Sequence, residues 1–133
     1  MTFEYLDLAD FLLIAEAVLD IPAEDLARAA RLELAESALH APAATFGGVE
    51  FYPDLARKTA VLAARLINNH PLPDGNKRVG YLCALEFVAR NGGTWTHPPD
   101  DPDGDDTVAI IEGVAAGHVD EDTLTVWIEQ RLV

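Results

Sequence analysis

Two apolar helical patterns separated by a short polar break constrain this chain more than any other feature. "LARKTAVLAARLINN" (55–69) stands before the break and "VGYLCALEFVARNGG" (79–93) after it. In the second pattern Glu86 is the only charge between Arg78 and Arg90, and the run closes on a glycine suited to a helix C-cap. A helix that is apolar on nearly every face must be surrounded, so this stretch reads as the buried central helix of a bundle.

The rest of the chain supplies the surrounding helices. Leu8, Phe11, Leu12, Ala15, Val18 and Leu19 follow the i, i+3, i+4, i+7 spacing, with Asp7 as N-cap. Pro22, followed by Glu24 and Asp25, opens a second helix predicted to run to about His40 and stop before Pro42. A third begins at Tyr52–Pro53 and ends at His70–Pro71. Thr107 is the expected cap of a helix through Ala116, and Asp120 of a last one carrying Leu124, Trp127, Ile128 and Leu132.

Two segments break the series. In "ATFGGVEFYPD", Gly47–Gly48 between Phe46 and Val49–Phe51 reads as the turn of a short hairpin, or as an ordered loop pinned by its aromatics. "HPPDDPDGDDT" carries five aspartates but not the EF-hand spacing. Counted back from Gly104, Pro99 takes the first ligand position and Ile110 the twelfth, where a Glu is required, so the segment reads as a solvated loop. The expected fold is all-α: a compact bundle of about six helices around a buried central helix, with at most a short β-hairpin. Residues 1–133 are expected to form one domain.

Composition excludes several classes. Half of the residues are hydrophobic and 24% are charged, which argues against disorder. No run reaches the length of a membrane span, and the start lacks the basic-then-apolar order of a signal peptide. Cys83 is the single cysteine, so a buried thiol without a redox role, in a reducing cytoplasm, is expected. A net charge of −14 disfavours nucleic acid and anionic membrane as partners.

The charge is unevenly spread. Residues 1–60 carry 11 acids and 4 bases, and residues 97–133 carry 10 and 1. Between them, residues 61–96 set only Asp74 and Glu86 against Arg65, Lys77, Arg78 and Arg90, a local +2 in a chain that is otherwise −16. The polar break, "NNHPLPDGNKRVG", lies inside this cationic island.

That break holds more chemistry than a linker needs. Pro73 and Gly75 cannot easily lie inside a helix, so Asn76, Lys77 and Arg78 stand at the start of the next one. The unpaired N–H groups and positive dipole of that start favour an anion. Gly75 permits φ > 0 and close approach to the main chain, and Arg78 can grip a phosphate bidentately beside the charge of Lys77. The Walker spacing is absent. Asp74 is either a turn residue with Gly75 or a Mg²⁺ ligand beside phosphate oxygens. His70 is either a helix-terminal histidine favoured by the dipole or a base that takes a proton from a hydroxyl.

"HPLPDGNKR" resembles the Fic/Doc family signature, H-x-F-x-[DE]-G-N-[GK]-R, and Ala44 to Gly92 is similar to Doc-type (death-on-curing) members throughout. The resemblance implies a toxin of a toxin–antitoxin pair that acts on a hydroxyl of a target protein. His70 would be the general base and Asp74 would hold Mg²⁺ against the phosphates of ATP. Gly75, Asn76, Lys77 and Arg78 would bind the nucleotide phosphates. Phe46, Gly47, Gly48, Val49, Glu50, Phe51 and Tyr52 would form the flap that aligns a target segment by strand addition.

Three positions depart from adenylyl-transferring Fic proteins. Leu72 replaces phenylalanine, Lys77 replaces glycine and Tyr81 replaces a second arginine. Doc-type members share the last two changes and resemble kinases that transfer the γ-phosphoryl of ATP to a threonine of elongation factor Tu, arresting translation. The alternatives are AMP transfer to a protein hydroxyl, and a degenerate module that only binds a nucleotide or partner. "TVAIIEG" (107–113) misses the family's inhibitory spacing by one residue and reads as ordinary helix. Restraint is therefore expected from a cognate antitoxin, whose disordered segment folds on binding.

Overall fold

The computed structural model describes residues 2–96 and 103–133, so residues 97–102 of the aspartate-rich stretch lie outside the described residues. Within them the fold is helical with one hairpin. In chain order come α1 (Leu8–Leu19), α2 (Ala23–Ala29), α3 (Leu32–His40), a 3₁₀ turn (Ala41–Ala43) and strands β1 (Thr45–Phe46) and β2 (Val49–Glu50). Then follow α4 (Leu55–Asn69), α5 (Asn76–Arg90), α6 (Asp105–Ala115) and α7 (Glu121–Glu129). None of the described helices is long and apolar enough to cross a membrane.

The caps read from sequence hold at α1 and α7. Asp7 and Asp10 form a reciprocal capping box, and Asp120 accepts the Thr123 N–H at 2.8 Å. Asp10 also receives both terminal nitrogens of Arg90, at 2.9 and 3.0 Å, tying the start of α1 to the end of α5. Those bonds hold its carboxyl below the usual range. Elsewhere the boundaries move. α4 starts at Leu55 rather than at Tyr52–Pro53, and α6 starts at Asp105 with Gly104, not Thr107, at its N-cap position.

The helix expected from Pro22 to His40 is two helices, broken at Ala30–Arg31. Nothing in "RAARLEL" disfavours helix. The break comes from a distant partner: Arg31 is extended (φ −88°, ψ 87°) and its N–H donates to the Pro71 carbonyl at 2.8 Å. A continuous helix would direct that N–H to its own fourth-preceding carbonyl instead.

The bundle has a buried central helix, and it is α4 rather than α5. Ten of the fifteen α4 residues are buried, and α3, α5, α6 and α7 all pack on it. Ala56, Ala60, Ala63 and Ala64 present little bulk, so neighbours approach from opposite sides. One apolar cluster joins Phe11, Leu39, Leu62, Leu66 and Phe87, and another joins Ala60, Ile67, Ile111, Leu124 and Trp127. α5 buries one face through Val79, Gly80, Cys83, Ala84, Phe87 and Val88, and leaves Leu82 39% exposed. A Cβ on Gly80 would stand 2.8 Å from Ile67 Cγ1, which sets how closely α5 lies on α4.

The hairpin pairs Thr45 with Glu50 and Phe46 with Val49 in antiparallel register. Gly47 (φ +59°) and Gly48 (φ +80°) supply the left-handed backbone that a two-residue turn requires. Its aromatics do not pin it: Phe46 and Phe51 are 78% and 59% exposed. The anchor is Lys58, fully buried in α4. Its ammonium donates to Glu50 Oε1 at 2.8 Å and to the Pro42 carbonyl at 2.9 Å, and lies 4.8 Å from the Phe3 ring centre.

Arg31→Ala, which removes the guanidinium bond to the His70 carbonyl, should lower unfolding free energy by about 1 kcal/mol in urea titration. Arg31→Pro suits the backbone but also removes the N–H donor, and should cost about 1 kcal/mol more. Cys83 is buried, and burial pushes its thiol up to about 12. At neutral pH iodoacetamide should leave the native protein unlabelled and label it fully in denaturant; rapid native labelling would contradict the packing of α5.

Candidate active site

The C-terminal end of α4 and the N-terminal end of α5 meet at one cleft. His70 ends α4 in the left-handed conformation (φ +53°, ψ +55°), uncommon for a residue with a Cβ. Surrounding bonds hold it there. Arg31 Nη2 donates to the His70 carbonyl at 2.9 Å, the Arg31 N–H donates to Pro71, and Asn69 Nδ2 donates to the Leu34 carbonyl at 3.0 Å. The break between α2 and α3 thus fixes the backbone that carries the histidine, a role no sequence signal marked.

The next turn is closed by Asn76. Its side chain is buried; Oδ1 accepts the Leu72 N–H at 2.9 Å and Nδ2 donates to the Leu72 carbonyl at 2.8 Å. Its amide group therefore serves the loop, leaving only its backbone N–H for a ligand. Leu72, where the family signature has phenylalanine, is 2% exposed and packs with Leu62 and Leu66. Gly75 is left-handed (φ +79°), and a Cβ there would stand 2.4 Å from Leu19 Cδ2. The left-handed backbone favours glycine here even before any ligand approaches, and a side chain would also have to displace the Leu19 methyl.

α5 starts directly on this closed loop. No side chain caps it, and the first intrahelical bond is Val79 N–H to the Gly75 carbonyl at 3.0 Å. Among the described residues, the N–H groups of Asn76, Lys77 and Arg78 have no backbone partner. The arrangement presents donors and a positive dipole end to the cleft.

His70, Asp74, Gly75, Asn76, Lys77 and Arg78 together line this cleft of about 430 Å³. Ile67, Asn68 and Ala115 complete it, and sequence reasoning missed all three. Asn68 had a signal, as an exposed polar residue in the last turn of an apolar helix; Ala115 had none. The flap residues Phe46 to Tyr52 do not line the cleft. The hairpin is anchored near the opposite end of α4, where Lys58 precedes His70 by about 18 Å of helix axis. Tyr52 lies between, its hydroxyl 3.4 Å from Arg65 Nη2.

The cationic island separates into two parts. Arg65 pairs with Glu121, and Arg90 with Asp10 and Glu86. Lys77 and Arg78 are exposed, and neither has a carboxylate partner among the described residues. In a chain with 23 acids, two adjacent cations at an uncapped helix start give a local concentration of positive charge. Asp74 is exposed at its edge. No group of three His, Cys, Asp or Glu residues able to hold a metal occurs among the described residues. A single carboxylate suits an ion that arrives with phosphate oxygens, as Mg²⁺ does.

A 59-residue segment is 44% identical to "Toxin Doc" of Mycolicibacterium smegmatis (strain ATCC 700084 / mc(2)155), covering 44% of this chain and 45% of that protein. The match therefore spans less than half the length of this relative. A model of the Fic/DOC family matches residues 5–88, from the strand of chain before α1 through most of α5 and including the whole His70–Arg78 loop. With that match covering more than half of its length, the chain belongs to the Fic/DOC family.

Proposed function

We propose that this chain is a toxin-type protein kinase, moving the γ-phosphoryl of ATP to a hydroxyl of a translation factor, a threonine of elongation factor Tu being the expected acceptor. The observation that carries the reading is the unpaired Lys77–Arg78 pair at the uncapped start of α5, with His70 on the same cleft. Phosphoryl transfer needs positioning and charge neutralisation above all, and this cleft offers both.

Each residue has a role in the proposal. A ring nitrogen of His70 accepts the proton of the acceptor hydroxyl as its oxygen bonds the transferred phosphorus. The bond from that phosphorus to the bridging oxygen breaks, and ADP leaves. The N–H groups of Asn76, Lys77 and Arg78, with the two cationic side chains, stabilise the charge on the phosphate oxygens. Asp74 would hold Mg²⁺, which neutralises phosphate charge when bound. The hairpin, with Phe46, Val49 and Phe51 exposed, would receive the target segment by strand addition.

In this reading the long Lys77 side chain would crowd the phosphate positions that AMP transfer uses, which favours phosphoryl over adenylyl transfer. Leu72 does not mark decay in this reading, because the loop is packed and closed around it. The toxin is proposed to act in the cytoplasm, restrained by a cognate antitoxin whose basic residues are drawn to the acidic surface.

The test is transfer from ATP labelled at the γ or the α position to elongation factor Tu. Label from the γ position should stay on the protein, and His70→Ala should reduce it by about 10²-fold or more. Retained α label would instead establish AMP transfer. Binding of ATP without transfer of either label would reduce the chain to a binding module.

A further inference from the structure

The hairpin that the proposed function assigns to the target protein has little support of its own. Thr45, Phe46, Val49 and Glu50, the residues of both strands, are all exposed. A two-stranded ribbon this short is marginal in water. If nothing fixed its direction, binding a target segment would also have to supply the entropy of ordering the ribbon.

α4 supplies a fixed point through Lys58. The residue is fully buried, yet its ammonium has partners on both arms of the hairpin. It donates to the Pro42 carbonyl, in the 3₁₀ turn ahead of β1, at 2.9 Å. It also donates to Glu50 Oε1, on β2, at 2.8 Å. The ring centres of Phe3 and Tyr5 lie 4.8 and 5.4 Å from the nitrogen and add cation–π contacts. Just past β2 the chain is tied to α4 again, with the Tyr52 ring 5.8 Å from the Arg57 guanidinium carbon. An apolar residue at position 58 would fill the core without desolvating a charge. A buried ammonium adds direction instead, because it is satisfied only while Glu50 and Pro42 stand where they do.

We infer that Lys58 is a positioning residue for the protein target: its bond to Glu50 sets the angle of the hairpin on the helix that ends at His70. The inference rests on the reading of the hairpin as the target's docking edge and adds what aims that edge. Side chains alternate along a strand, so Glu50 and its partner Thr45 share one face of the ribbon and Phe46 and Val49 share the other. With Glu50 turned in to Lys58, the apolar pair is turned out, and both residues are exposed. One helix then carries the mount of the hairpin near its start and the histidine at its end. A target segment held by the hairpin keeps a constant relation to His70, although the hairpin does not line the cleft.

Steady-state transfer to elongation factor Tu by the whole chain tests this role. Glu50 is exposed, so Glu50→Ala spares the core. It should raise KM for the target at least about tenfold, the loss appearing in KM rather than kcat, and change ATP affinity by no more than about twofold. Glu50→Gln keeps an acceptor for the ammonium and should recover most of the loss. In a Lys58→Met background, Glu50→Ala should add nothing, as expected of two partners in one interaction. Relaxation of the hairpin amides reads the same contact without a target: they should be ordered in the wild type and mobile on the nanosecond scale in Glu50→Ala. An unchanged KM in Glu50→Ala, a fall in kcat alone, or a full further loss in the Lys58→Met background would overturn the inference. If the wild type transfers no label, the functional reading fails by itself. Hairpin amides as ordered in Glu50→Ala as in the wild type would overturn the role of Lys58 separately.

Discussion

The site depends on one buried side chain, Asn76. Between α4 and α5 the chain makes no regular structure, yet Leu72 is packed in the core, so its backbone groups cannot turn to water. The Asn76 amide satisfies the Leu72 N–H and carbonyl together. Because Asn76 is also the first residue of α5, the bonds that close the loop fix where that helix begins. The positions of its free N–H groups, of Gly75 and of the two cations all follow from that choice.

Held on its other side by Arg31 and Asn69, the loop is clamped by α3 before it and by α5 after it. Preorganisation of this kind matters because donors that are already aimed need not reorganise when charge develops. The electrostatics are similarly local. Most of the chain's cations are paired with its many acids, and Lys77 and Arg78 are left facing the cleft. Under the proposed function, an acidic protein would in this way keep one anion site.

Much of this was legible in the sequence, for identifiable reasons. His70, Asp74 and Gly75 to Arg78 are contiguous, so a loop between two helices brings them together whatever the rest of the fold does. The α1 cap, the Asp120 cap and the Gly47–Gly48 turn depend on neighbouring residues and were read correctly. What escaped was set by distant partners. The break at Ala30–Arg31 exists because of Pro71, forty residues on, and no local propensity reports it. α5 looked more central than α4 because apolar composition does not reveal how many neighbours a helix has; the small alanine faces of α4 decide that. Nor does the sequence report that the Asn76 side chain is buried and bonded to Leu72, which leaves its backbone N–H as the group facing the cleft.

The central claim is that the start of α5 is a prebuilt phosphate cradle. The most direct measurement is an NMR titration of the backbone amides with Mg²⁺–ATP. The account predicts that Asn76, Lys77 and Arg78 N–H resonances shift together and saturably, while amides of the clamping segments, such as Arg31 and Leu72, stay nearly unmoved. Shifts confined to other regions, or a loop whose resonances reorganise throughout on binding, would contradict it.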